Sequence, residues 1–199
     1  MYQFNYKKVE TIEEAVNELS ANPESKILAG GMTLIPTMKQ RLASPEQLID
    51  IRNIKELNFI KEESNKIVIG STTNHYTVAS SDLIKSKLSS LSRLAEGIGD
   101  PHVRNMGTIG GAISNNDPTA DYPAACLGLG ATIRTNKREI SADDFFISLF
   151  ETALEEDEIV VSISFPIISD SFYMKFPNPA SRYAMAGVFL SLIHISEPT

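Results

Sequence analysis

Two periods of apolar residue share the first fifty positions. Ile12, Ala15, Val16 and Leu19 recur at helical spacing, and Thr11 with Glu14 three residues on makes a capping box at their start. Asn22-Pro23 ends that helix. Residues 26–29 and 47–51 are short apolar runs that predict strands, and residues 34–42 predict a second helix between them. The opening segment therefore predicts strand–helix–strand–helix–strand, a small α/β lobe over residues 1–55. Its Gly30-Gly31 turn follows a strand, on the carboxyl side where open parallel sheets place ligands.

The pattern then changes. The polar stretch 52–65, with "KEESN", predicts a loop and the boundary of the lobe. Residues 66–70 predict a strand, and residues 73–79 and 82–96 predict helices. The second helix carries Leu83, Leu88, Leu91, Leu94 and Ala95 roughly on one face. Residues 108–114 read as a glycine-broken extended run and 122–129 as a short buried helix. Residues 131–135 and 138–140 read as a hairpin around Asn136-Lys137, and 142–150 as a helix. Strict alternation follows: Ile159, Val161, Ile163 and Phe165 to one face, Ser162 and Ser164 to the other, until Pro166 stops the run. Residues 172–176 predict one more strand. Strands and helices mixed without βαβ regularity predict a second, α+β lobe over residues 56–170.

Composition narrows the function. The chain has 199 residues, 42% hydrophobic and 22% charged, with a formal net charge of -7. An acidic chain without a basic run does not suit nucleic acid or anionic lipid. The N-terminus, "MYQFNYKKVETIEE", has no apolar signal core, and no stretch is long enough to span a membrane, so the expected location is cytoplasmic. The single cysteine, Cys126, excludes an intrachain disulfide, a four-cysteine cluster and a cysteine zinc site in this chain, and beside Leu127 and Leu129 it reads as packing. His75, His102 and His194 share no metal-ligand spacing. The acidic run at 151–158, "ETALEEDE", reads as a solvated face. Neither G-x-x-x-x-G-K-[ST] nor a G-x-G-x-x-G after a strand occurs, which removes ATPase and Rossmann readings.

Two glycine pairs remain. In "ILAGGMTLIPTMKQ" a turn between strand and helix can present N–H groups to an anion, or can be only a tight turn. In "RNMGTIGGAISNNDPTADYPA", Gly107, Gly110 and Gly111 precede Asn115, Asn116, Asp117, Thr119 and Asp121. Such a backbone can lie against a ligand or simply form turns. With one pair in each lobe, a cofactor between the lobes would touch both.

"AGGMTLIP" at 29–36, the second glycine stretch at 104–124 and "YMKFPNPASRYAMAGV" at 173–188 together resemble the FAD-binding medium subunit of the molybdenum hydroxylase family. That family includes the flavin subunits of xanthine, carbon monoxide and nicotinate dehydrogenases. The resemblance runs from residue 4 to about residue 188. It implies a two-lobed α+β FAD-binding domain of the p-cresol methylhydroxylase type. It assigns the FAD pyrophosphate to Ile27, Leu28, Ala29, Gly30, Gly31, Met32, Thr33 and Leu34, with the N–H groups of residues 30–33 as donors. The second loop, Thr108, Ile109, Gly110, Gly111 and Ala112, would run along the flavin. Further contacts would be acidic at Asp121, apolar at Val160 and basic at Lys175. Ile98 stands where some relatives carry an aromatic near the flavin ring, and His102 reads either as a neighbour of the cofactor or as a surface residue.

The function implied is that of the FAD-carrying electron-transfer subunit of a xanthine dehydrogenase-like enzyme. Its partners would be a molybdopterin-binding large subunit and a 2Fe-2S small subunit, with NAD or another compound as acceptor. No side chain need act as acid or nucleophile. Two alternatives stand beside it: a self-contained flavin oxidoreductase with its own substrate, and a truncated, non-catalytic remnant. Residues 171–192 would begin a C-terminal domain that is largely missing, leaving the last strand unpaired and an apolar surface uncovered. Residues 193–199 read as a non-native tail.

Overall fold

A computed structural model describes residues 1–192; the tail at 193–199, with His194, lies outside the described residues. The first lobe runs β1 (Asn5–Lys8), α1 (Ile12–Ala21), β2 (Ser25–Leu28), α2 (Leu34–Lys39) and β3 (Gln47–Asp50). Its three strands lie in the order β1-β3-β2, all parallel. Thr11 Oγ1 caps α1 by accepting from the Glu14 N–H at 3.1 Å, and the Glu14 carboxylate accepts from the Glu10 N–H at 2.9 Å. Strands β2 and β3 bury both faces under the crossover helices, while the edge strand β1 stays exposed. Ala15, Leu19, Ile49 and Ile51 pack on one side, and Leu28, Met38 and Leu48 on the other.

The second lobe holds β4 (Ile60–Glu63), β5 (Lys66–Gly70), α3 (His75–Ser80), α4 (Asp82–Lys87), α5 (Ser89–Glu96), α6 (Pro101–Met106), α7 (Ile109–Asn115) and α8 (Tyr122–Gly128). It continues through β6 (Thr132–Thr135), β7 (Glu139–Ser141), α9 (Ala142–Phe145), β8 (Phe146–Ser148), β9 (Glu151–Thr152) and β10 (Val160–Pro166). A five-stranded antiparallel sheet, β4-β5-β10-β6-β7, carries the helices. The chain then forms a hairpin of β11 (Ser171–Pro177) and β12 (Ala184–Ser191).

Several expectations are corrected. The "KEESN" stretch is a hairpin, with β4 ending at Glu63 and Ser64 and Asn65 at φ 51° and 60° turning the chain into β5. Two successive left-handed residues match the strand twist, and a polar edge strand is one that the alternation rule overlooks. The long helix over 82–96 breaks at Leu88, whose φ of −149° and ψ of 61° end α4 and start α5. Leu88 stays buried through the break, so the apolar face hides the kink. The helix expected over 142–150 stops at Phe145 and gives way to β8. The glycine-broken run is helical: Thr108 caps α7 by accepting from the Gly111 N–H at 3.1 Å, and Ile109 and Ile113 hold it in the core.

The alternation of β10 is broken by a bulge between Val160 and Ser162. Ile159 and Val161 consequently join the core of the first lobe, and Val160, Ile163 and Phe165 that of the second. The last strand is not unpaired, because β12 pairs along its length with β11. One face of that hairpin, with Phe172, Met174, Phe176, Val188 and Leu190, is exposed as expected.

Candidate functional site

The two glycine segments face each other across a cleft of about 780 Å³ between the lobes. On the first-lobe side, β2 ends at Leu28 and the chain turns through Gly31 at φ +70° into α2. Among the described residues, the N–H groups of Gly30, Gly31, Met32 and Thr33 have no hydrogen-bond partner, and Thr33 gives α2 no side-chain cap. Free amides at a strand–turn–helix junction make a site for an anion, because they point outward together and carry partial positive charge.

The glycines have different tasks. A Cβ on Gly30 would strike the backbone carbonyl of Met106, so this glycine lets the lobes touch. One on Gly110 would come within 2.5 Å of Ser71 Cβ, and one on Gly107 within 2.6 Å of His75 Nε2. Gly31 needs its left-handed backbone, which β-branched residues rarely adopt.

Most residues that the sequence singled out come together here. Residues 27–34 line the cleft, as do Ile98, Thr108, Gly110, Gly111, Ala112, Asp121 and Val160. Ile109 and Lys175 do not. Ile109 is buried in the second-lobe core, where α7 anchors. Lys175 stands behind Asp121, donating to Asp121 Oδ2 at 3.0 Å and to the Gly97 carbonyl at 3.1 Å. The Tyr173 hydroxyl donates to Asp121 Oδ1 at 2.5 Å. Burial raises the Asp121 pKa, against the opposing pull of Tyr173 and Lys175. His102 is exposed and outside the cleft lining, which is the surface reading.

Other lining residues were not legible beforehand. Glu158 ends the run read as a solvated face, yet it is only 5% exposed and lines the cleft. Burial alone would raise its pKa, but Arg138 at 3.0 Å and the Thr135 hydroxyl at 2.6 Å outweigh that and hold the carboxyl at about 2. His75 is buried against Tyr122, their ring centroids 5.3 Å apart, and burial with the nearby charge of Arg104 lowers its pKa to about 4. The only signal for these residues was spacing too long for any local pattern.

Among the described residues, the buried side-chain polar atoms without a partner are Ser25 Oγ, Ser71 Oγ, Thr72 Oγ1, His75 Nδ1 and Tyr122 OH. All but Thr72 belong to residues lining the cleft. An anion-binding turn and a volume suited to a large cofactor together fit a dinucleotide such as FAD. No cluster of metal-ligating side chains occurs among the described residues, and no described helix is long and apolar enough to cross a membrane.

The fold and cleft thus define a two-lobed binding domain for a nucleotide cofactor. Residues 2–168 match the family model for the FAD binding domain in molybdopterin dehydrogenase, and the chain belongs to that family, with FAD as its cofactor. It is 39% identical over 196 residues to the glyceraldehyde dehydrogenase medium chain of Sulfolobus acidocaldarius, covering 96% of this chain and 70% of the relative. It is 30% identical over 172 residues to the xanthine dehydrogenase FAD-binding subunit of Escherichia coli O157:H7, covering 83% and 59%. Carbon monoxide dehydrogenase from Hydrogenophaga pseudoflava superposes with a TM-score of 0.90 at 38% identity, over 94% of this chain and 68% of that one. The chain is the FAD-binding part of an oxidoreductase subunit, with the two-lobed α+β fold of that group.

Proposed function

We propose that this subunit is the flavin station of a molybdenum-dependent hydroxylase or dehydrogenase. Electrons would arrive from iron–sulfur clusters on a small partner subunit, fed by a molybdopterin-binding large subunit, and leave to NAD or another acceptor. The observation that carries the reading is the cleft itself, whose walls come from both lobes and present the free amides of residues 30–33 but, among the described residues, no thiol nucleophile. Cys126, the lone thiol, is fully buried with its pKa pushed up by that burial, so it cannot serve as one. Bound FAD supplies chemistry in both one- and two-electron steps. The chain's part is to hold the pyrophosphate on the amides of residues 30–33 and to place the second glycine segment along the flavin. Ile27, Leu28, Ala29, Leu34, Ile98, Thr108, Ile109, Gly110, Gly111, Ala112, Asp121, Val160 and Lys175 complete the proposed cofactor site, Lys175 acting through Asp121 and Ile109 by anchoring α7 in the core.

The domain division proposed is residues 1–55 and 56–170 as the two lobes, with 171–192 opening a further domain. The proposed location is cytoplasmic. The sequence resemblance favours a xanthine dehydrogenase-like enzyme, while the relatives named for glyceraldehyde and carbon monoxide share higher identity. All are consistent with a relay whose substrate is chosen on another subunit.

The test is an assay of the FAD-loaded chain by itself. It should pass electrons from NADH to a dye at most, and should not hydroxylate xanthine, hypoxanthine or nicotinate until the partner subunits are added. Turnover of a heterocycle by the chain alone would replace the relay with a self-contained oxidoreductase.

A further inference from the structure

We infer that the outer face of the β11–β12 hairpin is where two copies of this chain meet, sheet face against sheet face, with Met174 and Val188 at the two-fold axis. The inference does not depend on the cofactor. Cross-strand register places Phe172 beside Leu190, Met174 beside Val188 and Phe176 beside Ala186, so one face of the ribbon is apolar from end to end. Phe172, Met174, Phe176, Val188, Leu190 and Leu192 are 54–77% exposed. The one charged residue of the two strands, Lys175, lies on the other face, where it donates to Asp121. That inner face fixes the hairpin to the second lobe. Tyr173 stacks on Phe189 with ring centroids 6.0 Å apart, Phe189 lies against Gly128 of α8, and Ser171 Oγ is 2.7 Å from Ser90 Oγ of α5. The outer face is therefore held in shape before anything docks on it, which lowers the entropy lost on binding.

Area and charge decide the occupant. Six side chains of this size and exposure offer roughly 700 Å² of apolar surface. The largest apolar patch of an ordinary monomer is about 300–600 Å², whereas a stable interface takes about 800 Å² from each partner. The hairpin face comes close to that requirement by itself. An anionic lipid surface does not suit it, because the formal net charge is -7 and the outer face carries no cation. A partner selected by charge has nothing to read there either. A second copy does fit: an isologous contact sets the same patch against itself, and an uncharged apolar patch needs no opposite charge to be self-complementary.

The experiment is sedimentation equilibrium of the full chain across the micromolar range, with Met174→Glu and Met174→Lys as variants. Met174 is 77% exposed, so neither change enters the core, and an unaltered circular dichroism spectrum confirms that each variant folds. The wild-type chain should be a dimer. Each variant, burying a charge beside its own copy, should associate about a hundredfold more weakly or not at all. An equimolar mixture of the two variants should recover the dimer, because position 174 meets its own copy at the axis and the two charges then pair. A wild-type chain that stays monomeric would leave the face to another stretch of polypeptide and overturn the inference. A dimer that persists in both variants would place the contact elsewhere, and a mixture that stays monomeric would rule out the face-to-face arrangement. Each of these results leaves the cofactor assignment standing.

Discussion

Lys175 and Asp121 meet across 3.0 Å with their side chains 9% and 5% exposed, joining β11 to the start of α8 beside the cleft. A buried pair contributes little when compared with a well-packed apolar substitute, but losing one partner strands the other. Lys175→Met should therefore cost roughly 3–5 kcal/mol, leaving Asp121 desolvated with only Tyr173 to answer it. Adding Asp121→Asn to that variant should recover part of the loss. Chemical denaturation of the two single variants and the double variant checks this, and additive losses would show that the pair is not coupled.

Gly31→Val should reduce FAD affinity far more than Val160→Ala. Both residues line the cleft, but only Gly31 sits at φ +70° in the row of free amides. A β-branched residue there forces the turn to reorganise and spoils one or two charge-assisted hydrogen bonds, at roughly 1.5–3 kcal/mol each. The expected loss is on the order of tenfold to ten-thousandfold. Flavin content after purification and titration of the apoprotein provide the measurement. Unchanged flavin content in Gly31→Val would remove the amide row from the site.

Gly30→Ala should act differently from Gly31→Val, because its Cβ would meet the carbonyl of Met106 in the other lobe. The clash is with backbone, which cannot swing aside. The contact between lobes must open, so the melting temperature should fall even without flavin. An apoprotein as stable as wild type would show that the lobes do not depend on this contact.

His75 makes stability depend on pH. Burial, then the charge of Arg104, lowers its pKa in the folded state from 6.5 to about 4. The unfolded chain thus binds the proton more readily. The stabilisation is complete above about pH 6.5 and is lost as pH falls toward 4, by about 3 kcal/mol in total. His75→Leu should flatten the apoprotein's stability between pH 7 and pH 5. Below that range Asp50 and Glu158, both held at about 2 by arginine partners, should dominate acid unfolding in either protein. An unchanged slope in the variant would assign the proton uptake to another group.

Local pattern determined the first lobe almost completely. The capping box, the helical spacing through Leu19, the apolar strands and the glycine turn are relations among residues a few positions apart, and backbone geometry translates them directly. The two glycine pairs were legible for the same reason, whereas the cofactor class came from the family resemblance of the stretches that hold them. Tertiary structure decided the rest, because the deciding contacts lie far apart in sequence. Thr108–Asn115 is glycine-rich and intrinsically a weak helix, yet it is held helical by burial of Ile109 and Ile113 and by its seat on Ser71. The bulge between Val160 and Ser162 sends Val161 and Ile163, two positions apart, into the cores of different lobes, which no period of two can express. Glu158 is drawn inside by Arg138 from another strand, and Lys175 is turned away from the cleft by Asp121, 54 positions earlier. Burial of a carboxylate is set by which partners the fold brings within about 3 Å, and Lys175 and Tyr173 beside Asp121, like Arg138 beside Glu158, stand far away in sequence.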